Sequence, residues 1–272
     1  MKTVTRFRTL ALALGLAFLL AGCTSVVGTG RSQLNLVSDA ELNQVASLQY
    51  SKLIKESHLS SDRNQTRMVK NVGARIARAA QDLMASEGRQ GEIADYKWEF
   101  NLIDSKEVNA FCMPGGKVAF YTGIMPICQD EAGVAAVMGH EVAHALARHG
   151  NERVSNQMMV GIGANLLGIG LGIGGVGSGA ADLIMTAYSV GSQYGVLLPY
   201  NRAHEAEADR IGMRLMAMAG YDPEAAVDLW RRMDSAGGSG VPFFLSTHPS
   251  NRQRIEALEG FLPEARSYYV PR

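Results

Sequence analysis

The chain is poor in cysteine, carries no net charge and lacks a charged face that could hold a polyanion. Its 3 cysteines in 272 residues are too few for a thiolate-built zinc site. Lys plus Arg and Asp plus Glu are both 26, so no nucleic-acid partner is expected. No internal repeat is present, and no long low-complexity tract lies outside one glycine-rich region. What is abundant is apolar side chain, 47% of residues. That is enough for a sizeable core in about one globular domain.

The start of the chain has a distinct chemistry. Lys2, Arg6 and Arg8 precede an apolar run over residues 10–20, with no acid among them. The run is too short to span a bilayer comfortably and reads as the core of a signal peptide. Leu20-Ala21-Gly22-Cys23 follows and resembles a bacterial lipobox, with cleavage before Cys23 and lipid on its sulfur. Thr24 stands where Asp would argue for retention at an inner membrane. The expectation is therefore an outer-membrane lipoprotein facing the periplasm, bound to the membrane through its lipid anchor. Residues 1–22 would be signal peptide, 23–37 a lipidated tether and 38–272 the folded domain. Cys112 and Cys128 then remain, as a disulfide pair or as two buried thiols.

The patterning predicts an α+β fold, mostly α-helical. Ser38-Asp39-Ala40-Glu41 is a capping box, flanked by Val37 and Leu42 as a hydrophobic staple, and predicts a helix over residues 38–56. Val69, Val72, Ile76, Ala80 and Leu83 form the apolar stripe of a second helix over residues 63–86. Alternation then replaces helical period. Tyr96, Trp98, Phe100 and Leu102 predict a strand, and residues 108–111 and 117–121 two more around Met113-Pro114-Gly115-Gly116. Further helices are expected over residues 130–149, capped by Gly150, over residues 201–219, from Pro223, and from near Pro249. Residues 235–240 read as a flexible loop. Between Arg153 and Asp182 lie 28 uncharged residues, rich in glycine. They read as a lid near the site or as a membrane-inserting segment; the glycine density and lack of aromatic anchors favour the lid.

His140-Glu141-Val142-Ala143-His144 carries the chemistry. Histidines four apart share one helix face and can grip one Zn²⁺, with Glu141 beside it as a base toward water. The surrounding residues 132–147 are almost wholly small or apolar, so the helix should be buried and its polar groups need partners. A catalytic zinc wants a third protein ligand and one open position. Ala147 and Gly150 stand where a metzincin would have Gly and His, which excludes that class. His149 is nine residues from His140, half a turn away on a continuous helix, and should face elsewhere. Arg202-Ala203-His204-Glu205-Ala206-Glu207-Ala208-Asp209 offers the best third ligand. Glu205 and Asp209 share a face, one to bind metal and the other to orient a ligand histidine. His204 is the alternative ligand, and Glu207, about 200° away, should be solvated.

This combination resembles metallopeptidase family 48, which includes the CAAX prenyl proteases, HtpX and periplasmic lipoprotein peptidases. Asn109-Ala110-Phe111-Cys112-Met113-Pro114-Gly115-Gly116 is similar to that family's substrate-side strand. Leu198-Pro199-Tyr200-Asn201-Arg202, Ala219-Gly220-Tyr221-Asp222-Pro223 and Thr247-His248-Pro249 with Arg254 also fit. The resemblance implies a gluzincin, with a small antiparallel sheet beside the motif helix. It implies one Zn²⁺ per chain on His140, His144 and Glu205, Glu141 as base, and substrate along Asn109, Ala110 and Phe111.

Two residues are left with alternatives. His248 either reaches the site, to bind an oxyanion or take zinc's open position, or caps a helix and never meets the metal. Arg254 either orients substrate or pairs with a carboxylate. The expected function is a zinc endopeptidase of the bacterial envelope acting on unfolded, misfolded or unassembled proteins, with an outer-membrane assembly machinery as a possible partner. The competing reading is a metal-stabilised chaperone or assembly factor that holds clients without cutting them. A third is a peptidase switched on only by a partner.

Overall fold

The computed structural model describes residues 23–170, 201–235, 248 and 252–271. The expected signal peptide, most of the glycine-rich stretch and the loop before His248 lie outside the described residues. Among the described residues no helix is long and apolar enough to cross a membrane.

Two helices follow their sequence signals closely. Helix α1, Asp39–Glu56, starts on the capping box, with the Ser38 side chain and the Glu41 side chain each satisfying the other's backbone N–H. Helix α2, Arg63–Ser86, is capped by Asp62 and buries Val69, Val72, Ile76, Ala80 and Leu83. That stripe lies against the sheet and against the motif helix.

The sheet contains β3 (Glu99–Ile103), β4 (Ala110–Met113) and β5 (Lys117–Tyr121), in the order β3-β5-β4. β4 and β5 form an antiparallel hairpin with Cys112 opposite Val118. Gly115 and Gly116 make its turn at φ of 78° and 77°, a region open to glycine without strain. β3 pairs with β5 in parallel, with Glu99 opposite Lys117. The sheet is therefore mixed rather than wholly antiparallel. β4 serves as the crossover between two parallel neighbours, which alternation along a single strand does not reveal. β4 is an edge strand, and it lies against the motif helix.

The short α3, Met125–Cys128, leads into the motif helix α4, Glu131–Leu146. Asp130 caps α4 by accepting from Gly133 N at 2.8 Å, and every residue from Gly133 to Leu146 is buried. The helix stops earlier than expected. Ala147 is its cap, and Arg148 takes a left-handed φ of 58°, a conformation that costs a non-glycine residue roughly 1 kcal/mol. Ion pairs from Arg148 to Asp39 and Glu92 hold it there. A new helix, α5, begins at His149 and runs to Gly170, so Gly150 lies inside a helix rather than capping one.

Helix α6, Arg202–Met218, crosses α4 at two glycines. A Cβ on Gly139 would lie 2.7 Å from the Gly212 carbonyl oxygen, and one on Gly212 would lie 2.8 Å from His140 N. Backbone touches backbone there, and the start of α6 is drawn against the histidines of α4. Helices α7, Glu224–Ser235, and α8, Arg252–Arg266, pack on this pair from outside.

The lead-in segment is not a loose tether. Strands β1 (Cys23–Ser25) and β2 (Ser32–Leu34) pair antiparallel. Val26 and Val27 in the turn between them are buried in the main core. Cys23, the expected lipidation point, is exposed at the start of β1. Cys112 and Cys128 are free thiols in the structure, so the disulfide expectation is not met. They stand on separate elements, Cys112 on edge strand β4 and Cys128 at the end of α3.

Candidate metal centre

Helix α4 presents His140 and His144 on one face, with ring centroids 4.7 Å apart. Their Nε2 atoms lie 3.1 Å from each other. Helix α6 brings in Glu205, whose Oε1 is 3.3 Å from His144 Nε2 and whose Oε2 is 3.5 Å from His140 Nε2. His248 completes the group. Its Nδ1 is 3.2 Å from His140 Nε2 and 3.1 Å from Glu205 Oε1. Among the described residues these four are the one cluster of buried His and carboxylate donors able to hold a metal ion.

The spacing tests whether a metal fits. A tetrahedral site with bonds of about 2.0–2.1 Å has edges of about 3.4 Å between donor atoms, and the observed contacts fall around that figure. The tautomer agrees as well. Asp209 Oδ1 lies 2.9 Å from His140 Nδ1, so the ring proton belongs on Nδ1 and Nε2 offers a lone pair to the cluster. Lone pairs and a carboxylate converging in a buried site need a cation between them. Glu141 Oε1 is buried and makes no hydrogen bond among the described residues, which leaves its lone pairs available to a water brought to the centre. The set of two imidazoles and a carboxylate suits Zn²⁺.

The charges around the ligands are arranged with care for burial. Burial alone would lower His140, but without a metal the ring donates to Asp209 and Glu205, which outweighs burial and raises its pKa to about 9; a bound cation would take the place of the proton on Nε2. Burial would raise Glu205, yet the charges of His248 and Arg254 hold it well below the usual carboxylate range. Burial dominates at Glu141 and pushes its pKa up, only partly offset by His248 and His140. A base with a raised pKa takes a proton more readily near neutrality.

Arg254 is assigned by its partners. Its Nε and Nη2 each lie 2.7 Å from an oxygen of Asp209, and its Nη1 lies 2.6 Å from Glu205 Oε2. The guanidinium also stacks 3.5 Å from the Trp230 ring centroid. Of the two expectations for Arg254, the structure shows the carboxylate pair. Asn109 and Ala110 are buried beside β5, and Phe111 is half-buried on β4. The Asn109 carbonyl accepts from Tyr121 N at 3.1 Å.

Two sequence expectations fail on the far side of His144. His149 does not face away, because the turn at Arg148 folds it back until its Nδ1 is 2.8 Å from His144 Nδ1. Glu207 is not solvated; it is buried and bonded to His149, Thr29 and Arg31. His204 is not a ligand in this cluster. It bonds Glu152 at 2.9 Å and stacks on His149 with centroids 4.3 Å apart. Trp230, Thr29 and Arg31 carried no sequence signal linking them to the motif.

A model described as peptidase family M48 matches residues 67–262, which include every ligand of the cluster. The chain belongs to peptidase family M48. It is 39% identical over 193 residues to the mitochondrial metalloendopeptidase OMA1 of Schizosaccharomyces pombe, covering 70% of this chain and 53% of that protein. The OMA1 metalloendopeptidase of Bos taurus is 30% identical over 248 residues, 87% of this chain and 45% of the relative. The beta-barrel assembly-enhancing protease of Escherichia coli is 31% identical over 164 residues, 58% of this chain and 33% of that one. This M48 chain thus spans about half, or less, of the length of the curated relatives it matches.

These similarities correct the expected location. Relatives from two yeasts, a plant, cattle and human are mitochondrial by name, which points away from a bacterial outer-membrane lipoprotein. The leader signal is a pattern of charge and hydropathy, and such a pattern does not by itself fix a compartment.

Proposed function

We propose that this M48 protein is a zinc-dependent endopeptidase acting on unfolded or unassembled protein segments. The observation that carries the reading is the convergence of His140, His144 and Glu205 donor atoms beside a buried Glu141 carboxylate. When bound there, Zn²⁺ supplies a Lewis acid that polarises a peptide carbonyl and acidifies water. Glu141 takes the proton from the attacking water and passes it to the leaving amine, the role its raised pKa suits. Asp209 holds His140 in the tautomer that leaves Nε2 available. Arg254 pairs with both Asp209 and Glu205 and offsets one of their two charges, which leaves one negative charge for a bound cation to balance.

The edge position of β4 beside α4 supports a substrate track along Asn109, Ala110 and Phe111. An extended segment added to that edge would present its backbone in register to the centre. Folded domains cannot offer such a segment, which favours unfolded clients. The similarity to a protease named for enhancing beta-barrel assembly supports a role in protein quality control.

His248 is inferred to occupy the position that water or substrate must reach. Its Nδ1 stands at ligand spacing from His140 and Glu205, and its Nε2 is 3.5 Å from Glu141 Oε1. That arrangement restrains the resting enzyme, and displacement of His248 opens it.

The test compares wild type with Glu141→Gln on casein, with and without a chelator. Chelator-sensitive cleavage by wild type and a loss of at least about 100-fold in the variant are expected. Client binding without cleavage by either protein would favour the chaperone reading instead.

A further inference from the structure

Asp209 fixes the ring proton of His140; at His144 an imidazole stands in the corresponding place. His144 Nδ1 faces Nδ1 of His149 at 2.8 Å. His149 Nε2 lies 3.3 Å from Glu207 Oε2. Glu207 in turn accepts from the Thr29 hydroxyl at 2.6 Å and from Arg31 Nε at 2.7 Å. His149 is wholly buried, and Glu207 is 8% exposed.

The proton positions follow from the partners. A carboxylate accepts only, so the His149 nitrogen beside Glu207 must carry the proton. Burial disfavours a second proton on the same ring. His149 Nδ1 is then a lone pair, and the one proton between the two Nδ1 atoms belongs to His144. That leaves His144 Nε2 unprotonated, the form in which imidazole binds metal. The reverse order would set a His149 lone pair against the Glu207 carboxylate and place a proton on His144 Nε2, 3.1 Å from His140 Nε2.

We propose that His149 and Glu207 are positioning residues, a carboxylate–imidazole relay that holds His144 in its metal-binding tautomer. The proposal rests on the reading of His140, His144 and Glu205 as the metal centre. The relay is anchored outside the motif helix. Arg31 immediately precedes β2 of the β1–β2 hairpin, and its guanidinium also bonds both oxygens of Glu152 at 2.9 and 2.7 Å. Glu152 bonds His204, whose ring stacks on His149 with planes 14° apart and blocks its rotation. The N-terminal hairpin is thereby connected to a metal ligand through three side chains.

The full chain, loaded with one equivalent of Zn²⁺, provides the test. Competition with a chromophoric chelator first establishes whether wild type binds the ion at all. Failure to bind would overturn the metal-centre reading and the relay with it. Given binding, two-bond ¹H–¹⁵N spectra of the histidine rings report the tautomers. The expected result is a proton on Nε2 of His149 and on Nδ1 of His144; a proton on Nδ1 of His149 overturns the relay while the metal centre stands. His149→Phe should weaken zinc binding by about 10–100-fold. His149→Asn, whose side-chain oxygen can accept from His144 Nδ1, should recover part of that loss. Unchanged zinc affinity in His149→Phe, with only a lower melting temperature of the metal-free protein, would reduce the residue to packing and overturn the proposal.

Discussion

Arg254 holds two carboxylates that would otherwise face each other in a dry site. Its removal leaves Glu205 and Asp209 buried with one cation fewer. Arg254→Ala should therefore destabilise the metal-free protein by roughly 3–5 kcal/mol, measured by denaturant unfolding, and zinc should recover part of the loss. His248→Ala is expected to act differently: it removes a buried partner of Glu205 and should lower stability, yet it should raise basal cleavage of an unfolded substrate several-fold. A rate equal to wild type would remove His248 from control of the site. At this scale the sequence spoke clearly wherever groups sit four apart on one helix, as His140 with His144 and Glu205 with Asp209 do. It misled at His149 and Glu207, because a helical wheel assumes that the helix continues. One left-handed residue, Arg148, breaks that assumption and turns His149 back onto His144.

The crossing of α4 and α6 decides whether ligands from two elements meet. Gly139 and Gly212 permit that crossing because neither has a Cβ to hold the backbones apart. Gly212→Ala would place a methyl group 2.8 Å from His140 N. The expected cost is about 1–3 kcal/mol of stability, as for overpacked cores, together with a measurable fall in zinc affinity as Glu205 moves off. Calorimetric unfolding and chelator competition read the two effects, and a variant with wild-type values in both would show that the crossing has slack. Two helices were legible from end to end. The capping box and the apolar stripe fixed the limits of α1 and α2, since both signals are local. The parallel pairing of β3 with β5 was not legible, because strand order depends on contacts that no local pattern encodes.

Among the described residues, several ionisable groups are held neutral by burial. Burial raises Cys128 from 9.0 to about 12, and Tyr121 and Tyr221 from 10.0 to about 12. A group whose folded pKa is raised favours folding while protonated, so this contribution is complete below about pH 9. It is lost as pH rises toward 12, where the unfolded chain ionises more readily. Thermal unfolding should show that alkaline decline, and Cys128→Ala should make it shallower between pH 9 and 12. The lead-in segment looked like a tether by composition, yet β1 and β2 pair, the turn between them buries Val26 and Val27 in the core, and Arg31 bonds Glu207 behind the metal centre. Long-range ion pairs of that kind leave no periodic trace. The most direct measurement of the whole account is anomalous X-ray scattering at the zinc edge from crystals of the metal-loaded protein. The account predicts one peak per chain, about 2.0–2.1 Å from Nε2 of His140, Nε2 of His144 and a carboxylate oxygen of Glu205. No peak there, or a peak instead among Glu152, His149 and His204, would contradict it.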